Sequence, residues 1–225
     1  MAPIEDLWPL SRLVLRIGDL ELRYPGDADL AELAELAREP IHHPGTMPFS
    51  TPWTDQPPED RARSLLQWHW GLRAGWAPDD WRLELVAVRR GEVVGTQGLH
   101  GARFALRREV ESGSWVGGRF QGQGIGTAMR QAVLRLAFAG LGAHAARSGA
   151  FADNPASLAV SRNLGYAEDG TETEVRRHEP ATLIRLLLPR AVWEARSRTW
   201  PRVTVAGLEG CAAMFGLTAA DLGRP

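Results

Sequence analysis

The sequence predicts an α/β chain whose helices flank a mixed sheet, and three observations carry that prediction. A period-two run, a glycine-rich loop and a helical stripe follow one another between Glu109 and Ala137. A further strand returns beyond that helix, which makes the two strands parallel neighbours joined by a right-handed crossover. Elsewhere, β-rich runs pair off about short turns, the mark of antiparallel hairpins.

The first of these units organises the rest. Val110, Ser112, Ser114 and Val116 alternate with Glu109, Glu111, Gly113 and Trp115, a strand pattern. Arg119-Phe120-Gln121-Gly122-Gln123-Gly124-Ile125-Gly126-Thr127 then opens a helix whose apolar face is Ile125, Met129, Val133, Leu136 and Ala137. Backbone N–H groups freed of side chains, at the positive end of a helix, form a cradle for an anion. Two nucleotide loops fail here on their residues. A P-loop needs Gly-Lys-Ser/Thr where Gly126 is followed by Thr127 and Ala128. A dinucleotide fingerprint needs its third glycine one place later and an acid about twenty residues on, yet Ala128 to Ala152 holds no Asp or Glu.

What remains, Gln121-Gly122-Gln123-Gly124-Ile125-Gly126, resembles the Q/R-x-x-G-x-G/A signature of the GNAT acyltransferases. Asn154-Pro155-Ala156-Ser157, leading to Gly165-Tyr166, resembles that family's second signature, at the expected distance. Pro189-Arg190-Ala191-Val192-Trp193 is similar to the closing helix of the branch that modifies ribosomal proteins. Glu111 to Trp115, Phe151 to Ser157, Met47 to Ser50 and Cys211 to Gly216 resemble an actinobacterial subgroup that includes a succinyltransferase. The resemblance implies a GNAT fold: a mixed, mostly antiparallel sheet of about seven strands with a V-shaped opening between two central parallel strands. It implies acetyl-CoA or succinyl-CoA as co-substrate and no metal. The acyl group would pass by direct attack to a primary amine, on a small molecule, a protein N-terminus or a lysine. Donor binding falls on Trp115, Val116, Gln121, Gly122, Gln123, Gly124, Ile125, Gly126, Thr127, Asn154 and Ser157. Glu111 matches a strand glutamate that serves as base or water-orienter, and Ser161 stands where many relatives place the tyrosine that protonates the leaving thiolate. A serine hydroxyl is shorter and a much weaker acid. Arg119 and Arg162 flank the signature helices within reach of phosphates, or are merely solvated.

The other elements follow in order. Leu13 to Ile17 and Leu20 to Arg23 read as strands about the turn Gly18-Asp19, and Asp27 or Asp29 caps a helix through about Arg38. Pro40 to Pro58 holds six prolines, too broken for a helix or a central strand. Its His43, Met47, Phe49 and Trp53 either cap the core or, as in the family, line the acceptor pocket, together with Gln97 and Ser114. A helix follows from about Glu59 to Arg73, where His69 reads as a packing residue. Trp81 to Arg89 and Glu92 to His100 form a hairpin about Arg90-Gly91. Ala143 to Phe151 is the parallel return strand, and Thr173 to Arg177 with Ala181 to Leu188 make a last hairpin. The family core spans about 10–196, and the extension from about 197 to 225 reads as a docking segment with a strand at Val203 to Val205 and a short helix from Leu208 to Phe215. One domain is expected over 1–225.

Composition bounds the function. At 225 residues, 44% hydrophobic and 24% charged, the chain is ordinary globular protein with a net charge of −1, which leaves no basic excess for nucleic acid. No segment approaches a membrane span. The single cysteine, Cys211, forms no internal disulfide and suits a reducing compartment, so the chain is read as cytoplasmic. The two histidines of the proline-rich loop match no zinc spacing. A second copy, as a homodimer, is the remaining partner left open. Two function classes stand: an acyl-CoA-dependent N-acyltransferase, or a catalytically silent acyl-CoA-binding module of the same fold.

Overall fold

The structure, a computed structural model described over residues 2–222, is organised by one nine-stranded sheet. Short α1 (Ile4–Leu7) precedes the hairpin β1 (Val14–Ile17) and β2 (Leu20–Arg23). Helices α2 (Asp27–Arg38) and α3 (Pro58–Ala74) flank the proline-rich loop. The long hairpin β3 (Asp80–Arg89) and β4 (Glu92–Ala102) comes next, then α4 (Phe104–Arg107), β5 (Glu109–Val116) and α5 (Ile125–Arg135). The chain returns through β6 (Ala145–Phe151), α6 (Pro155–Leu164), the hairpin β7 (Ala167–Arg176) and β8 (Glu179–Pro189), α7 (Arg190–Ser197) and β9 (Val203–Ala206). Strand order is β7-β8-β6-β5-β4-β3-β2-β1-β9. The count is nine where the family pattern suggested about seven, with the β1–β2 hairpin and β9 all part of the same sheet.

Period two on the central strands sorts the core into two layers. Leu83, Leu85 and Ala87 of β3, Leu99 of β4 and Val110 of β5 pack with Met129, Val133 and Phe138 in the layer that holds α5. Val86, Val88 and Val93 pack on the other face with Leu30, Leu33 and Ala37 of α2 and Leu65 of α3. Burying an apolar side chain of this size contributes roughly 1.5–3 kcal/mol, so both layers are held by the β3–β4 pair they share.

Only β5 and β6 run parallel, and they pair over just three positions: Glu109 with Ala145, Val110 with Ala146, and Glu111 with Arg147. Beyond them the Ser148 hydroxyl donates to the Ser112 carbonyl at 3.2 Å. The ladder then stops and the strands part, leaving a cleft. On its far side, the β7–β8 tip clamps the proline-rich loop. Arg176 forks onto Asp153 at 2.9 and 2.6 Å and donates to the Met47 carbonyl, while Arg177 pairs with Asp55 and donates to the Pro44 carbonyl.

The C-terminal extension is part of the fold. β9 pairs antiparallel with β1, Val14 opposite Ala206. The 3-10 turn Glu209–Phe215 buries Cys211 and Phe215, and the Trp76 indole N–H donates to the Met214 carbonyl at 2.9 Å. The segment expected to begin as a docking tail is thus a sheet edge and a piece of core; its residues 223–225 lie outside the described range.

Candidate functional site

The glycine loop folds as its spacing predicts. Gly122 and Gly124 take φ of +73° and +78°, with Gly124 the N-cap of α5, a conformation that side-chain-bearing residues rarely adopt. The N–H groups of 122–127 find no backbone partner, and the first to close is that of Ala128, onto the Gly124 carbonyl. Six donors therefore face outward around the positive end of an eleven-residue helix. The two arginines that flank the signature helices are already engaged. Arg119 pairs with Glu39 and Glu92, and Arg162 with Glu168 at 2.7 Å, so neither stands ready for a phosphate.

This cradle opens on a cavity of about 1060 Å³ that occupies the cleft between β5 and β6 and continues across the sheet face beneath α3 and the proline-rich loop. Trp115, Val116, Gln121, Gly122, Gly124, Ile125, Gly126, Thr127, Asn154 and Ser157 line it, as do Met47, Phe49, Trp53 and Ser114. The Asn154 carbonyl oxygen accepts the Ser157 N–H at 3.1 Å and caps α6, leaving its NH₂ group for the cavity. The Gln121 amide is committed to the protein, donating to the carbonyls of Ile41 and Val116.

Five expected residues stand elsewhere. Gln123 turns away from the cavity to accept from Arg89 at 3.0 Å. His43 is exposed, accepting the Gly45 N–H, and its neighbour His42 takes the wall position, held by Thr54 at 2.7 Å. Gln97 is wholly buried and spends its amide on the carbonyls of Gly98 and Gly113. Glu111 is exposed at the last position of β5 that pairs with β6, opposite Arg147, with His100 its partner on β4, before the cleft begins. Ser161 is wholly buried with its hydroxyl unpartnered, behind the wall formed by Ser157 and Val160.

Three ionisable side chains that the sequence reading passed over or set aside line the cavity instead. Arg130 lies one helical turn along α5 from Gly126 and Thr127, so it faces the cleft. It is 4% exposed, its one hydrogen bond among the described residues runs to the Ser148 hydroxyl at 3.1 Å, and its Nε has no partner. Among the described residues no carboxylate pairs with it. On the opposite sheet face, His69 of α3 is buried, and burial first, then the charge of Arg73, pulls its imidazole down to about 4. Glu84 of β3 lies near it. Part of the residue remains open to the cavity, yet its carboxyl is packed round by protein, and that burial pushes it up to about 8 against the Thr96 hydroxyl and the charge of Arg82. The signal for Glu84 was present as a lone acid inside the apolar run Trp81 to Val88, and for Arg130 as a charge beside the apolar stripe of a core helix.

Aromatic rings finish the acceptor side. Phe49 packs on Trp53 at 5.3 Å between centroids, Trp53 on Trp115 at 5.7 Å, and Trp68 meets His69 edge-on at 4.9 Å. Among the described residues no cluster of His, Cys, Asp or Glu is arranged to hold a metal, and no helix is long and apolar enough to cross a membrane.

A mixed sheet splayed at its single parallel pair, with a glycine-capped helix N-terminus at the mouth, defines the class of acyltransferase folds. A family model described as an acetyltransferase (GNAT) domain matches residues 19–167, and the chain belongs to this GNAT family. Among solved structures it is similar to Mycobacterium smegmatis RimJ in complex with CoA-disulfide, at 20% identity over 91% of this chain and 95% of that one, TM-score 0.68. It is also similar to RimL, a ribosomal L7/L12 alpha-N-protein acetyltransferase in complex with coenzyme A, at 18% identity over 78% and 97%, TM-score 0.61. A Vibrio cholerae spermidine N-acetyltransferase chimera aligns at 16% identity over 80% and 100%, TM-score 0.60. At such identities the likeness speaks to the fold.

Proposed function

We propose that the chain transfers an acyl group from a coenzyme A thioester to a primary amine by direct attack within a ternary complex. The observation that carries this reading is that the cradle, the cleft and the aromatic wall belong to one continuous cavity, so donor and acceptor meet without leaving it. The pyrophosphate sits against the N–H groups of 122–127, and the pantetheine arm runs down the cleft beside Ser112 to Val116, within reach of the Asn154 NH₂. The free amine attacks the thioester carbonyl carbon, a C–N bond forms, the C–S bond breaks, and the thiolate takes up a proton from the new amide nitrogen through water. Glu111 and Ser161 have no part in this scheme, since neither lines the cavity.

Between the two donors, Arg130 favours succinyl-CoA. An arginine this deeply buried without a counter-ion is costly, and the distal carboxylate of a succinyl group entering the cleft supplies the missing partner with charge-assisted hydrogen bonds. The acceptor is a primary amine of a small molecule, a protein N-terminus or a lysine, acted on in the cytoplasm. The test is release of coenzyme A from acetyl- and succinyl-CoA with a pool of amines. Release with a succinyl preference supports both statements; donor binding without release with any amine returns the chain to the silent binding module.

A further inference from the structure

We infer that Glu84 is the catalytic residue that holds the acceptor's ammonium group and takes its proton before attack on the thioester. The inference rests on the acyltransferase reading and adds to it the missing base. Glu84, Gly98 and Gly113 are register partners across β3, β4 and β5. Neither glycine has a side chain, so the three positions form a trough across the sheet toward the strand that borders the cleft.

The carboxyl lies in that trough. A Cβ built on Gly98 would fall well inside contact distance of Glu84 Oε1 and within 2.9 Å of its Cδ, so the carboxyl lies directly over β4. A Cβ on Gly113 would meet nothing within 4 Å. From over Gly98 to Gly113 is one strand spacing, about 4.8 Å, which is room for an amine nitrogen between the carboxylate and a thioester lodged at β5. The Thr96 hydroxyl donates to Oε2 at 3.1 Å and fixes the carboxyl's orientation. Trp68 and Trp115 line the same cavity, and aromatic faces attract a cation.

The groups that face the carboxyl are few. Thr96 is beside it, Arg82 is on its own strand, and His69 and Arg73 of α3 and Tyr24 at the end of β2 share a small second pocket with it. His69 is neutral at physiological pH, so it adds no competing cation at the site. An alkylammonium entering beside Glu84 gives up one proton to the carboxylate and becomes the neutral nucleophile. The carboxylic acid then loses that proton to water, for which the second pocket, about 10 Å³ and bordered by Glu84 itself, is an exit. The carboxylate is restored after each turnover, and the net reaction is ammonium plus thioester to amide, thiol and one released proton. A base whose pKa lies near 8 is matched to work at neutral pH.

The experiment compares wild type, Glu84→Gln and Gly98→Ala, with ethylamine and trifluoroethylamine as acceptor probes and whichever of the two acyl-CoA donors the wild type uses. Donor affinity should be unchanged in both variants. With ethylamine, Glu84→Gln should lose about 10²-fold or more in kcat/KM, the size of a general-base contribution, and the rise of kcat/KM toward pH 8 should disappear. With trifluoroethylamine, already neutral at pH 7, the loss should shrink to less than about tenfold, because there is no proton to remove first. Gly98→Ala, which displaces the carboxyl without deleting it, should fall between the two enzymes. Wild-type coenzyme A release with no matching loss in Glu84→Gln, or an equal loss for both amines, overturns the inference alone. No release from wild type with any amine removes the acyltransferase reading and this inference with it.

Discussion

Replacing Glu84 by glutamine should make the protein more stable, and more so as pH rises. In the folded chain the carboxyl holds its proton up to about 8, against an ordinary value of 4.5. Between those limits the folded state binds a proton that the unfolded chain has released, so wild-type stability falls with rising pH by at most about 1.4 kcal/mol per pH unit. His69 works in the opposite sense, because its imidazole is held at about 4 against 6.5; the unfolded chain binds the extra proton in that window, and stability rises with pH through it. The two slopes nearly cancel between about pH 4.5 and 6.5, and from about 6.5 to 8 the Glu84 slope stands alone. Comparing wild type with Glu84→Gln isolates the carboxyl. Part of the residue meets the open cavity, so the full electrostatic cost is reduced, and the variant should gain about 2 kcal/mol at pH 7.5 and almost nothing at pH 5. For a chain of this size that is roughly 4–8 °C in Tm. Thermal and urea unfolding at both pH values measure it. A stability gap that is the same at both, or a variant less stable at pH 7.5, would refute the claim that the carboxyl is held unwillingly in its site.

Three further outcomes are expected. Gly124→Val places a branched residue at φ +78° at the lip of the cradle; the fold should survive while acyl-CoA affinity, measured by calorimetry, falls at least tenfold, about 1.4 kcal/mol. Arg130→Met keeps an unbranched, shorter side chain and removes the buried charge, so the ratio of kcat/KM for succinyl- over acetyl-CoA should drop by about tenfold or more while Tm holds or rises; an unchanged ratio would separate Arg130 from donor choice. Arg177→Ala releases one clamp on the proline-rich loop, so the acceptor KM should rise with donor Kd unchanged, and a shift in donor Kd instead would show that the loop serves the other half of the cavity.

How much of this was legible in the residues varies with the range over which each feature is set. The cradle was, because Gly122, Gly124 and the stripe from Ile125 to Ala137 are local instructions for backbone and helix. So were the hairpin at Arg90-Gly91 and the parallel return strand. β7 was placed six residues late, since Ala167 to Glu172 is uniformly exposed and polar, with a register shift between Glu168 and Thr171, so no alternation marks it. Glu84 was missed for a different reason. Its position depends on Gly98, fourteen residues away, and Gly113, fifteen further on, which become neighbours only when three strands are in register. The choice of Glu111 followed a position in a pattern, and only the register of β5 with β6 shows that it belongs to the last pair before the splay. His42 and His43 differ by one residue in a loop without periodicity, where nothing local says which one turns inward.

The pairing of β9 with β1 has a consequence for how the chain comes off the ribosome. Val14 is opposite Ala206 and Ile17 opposite Val203, so an early strand and the last strand of the sheet complete each other. At ~5–20 residues per second, roughly 10–40 s separate the two during synthesis. Throughout that interval the outer edge of β1 has no permanent partner, although β2 and then β3 can already have closed on its other side. An unpaired edge is a template for any passing strand, and β8, which must insert between β6 and β7, also arrives late. The half-made protein therefore carries an open edge and an unfilled gap in the same sheet. Its exposure to misassembly is set by the time translation takes to reach Val203, and a ribosome that stalls between β8 and β9 prolongs the hazard at one place, the free side of Val14 to Ile17.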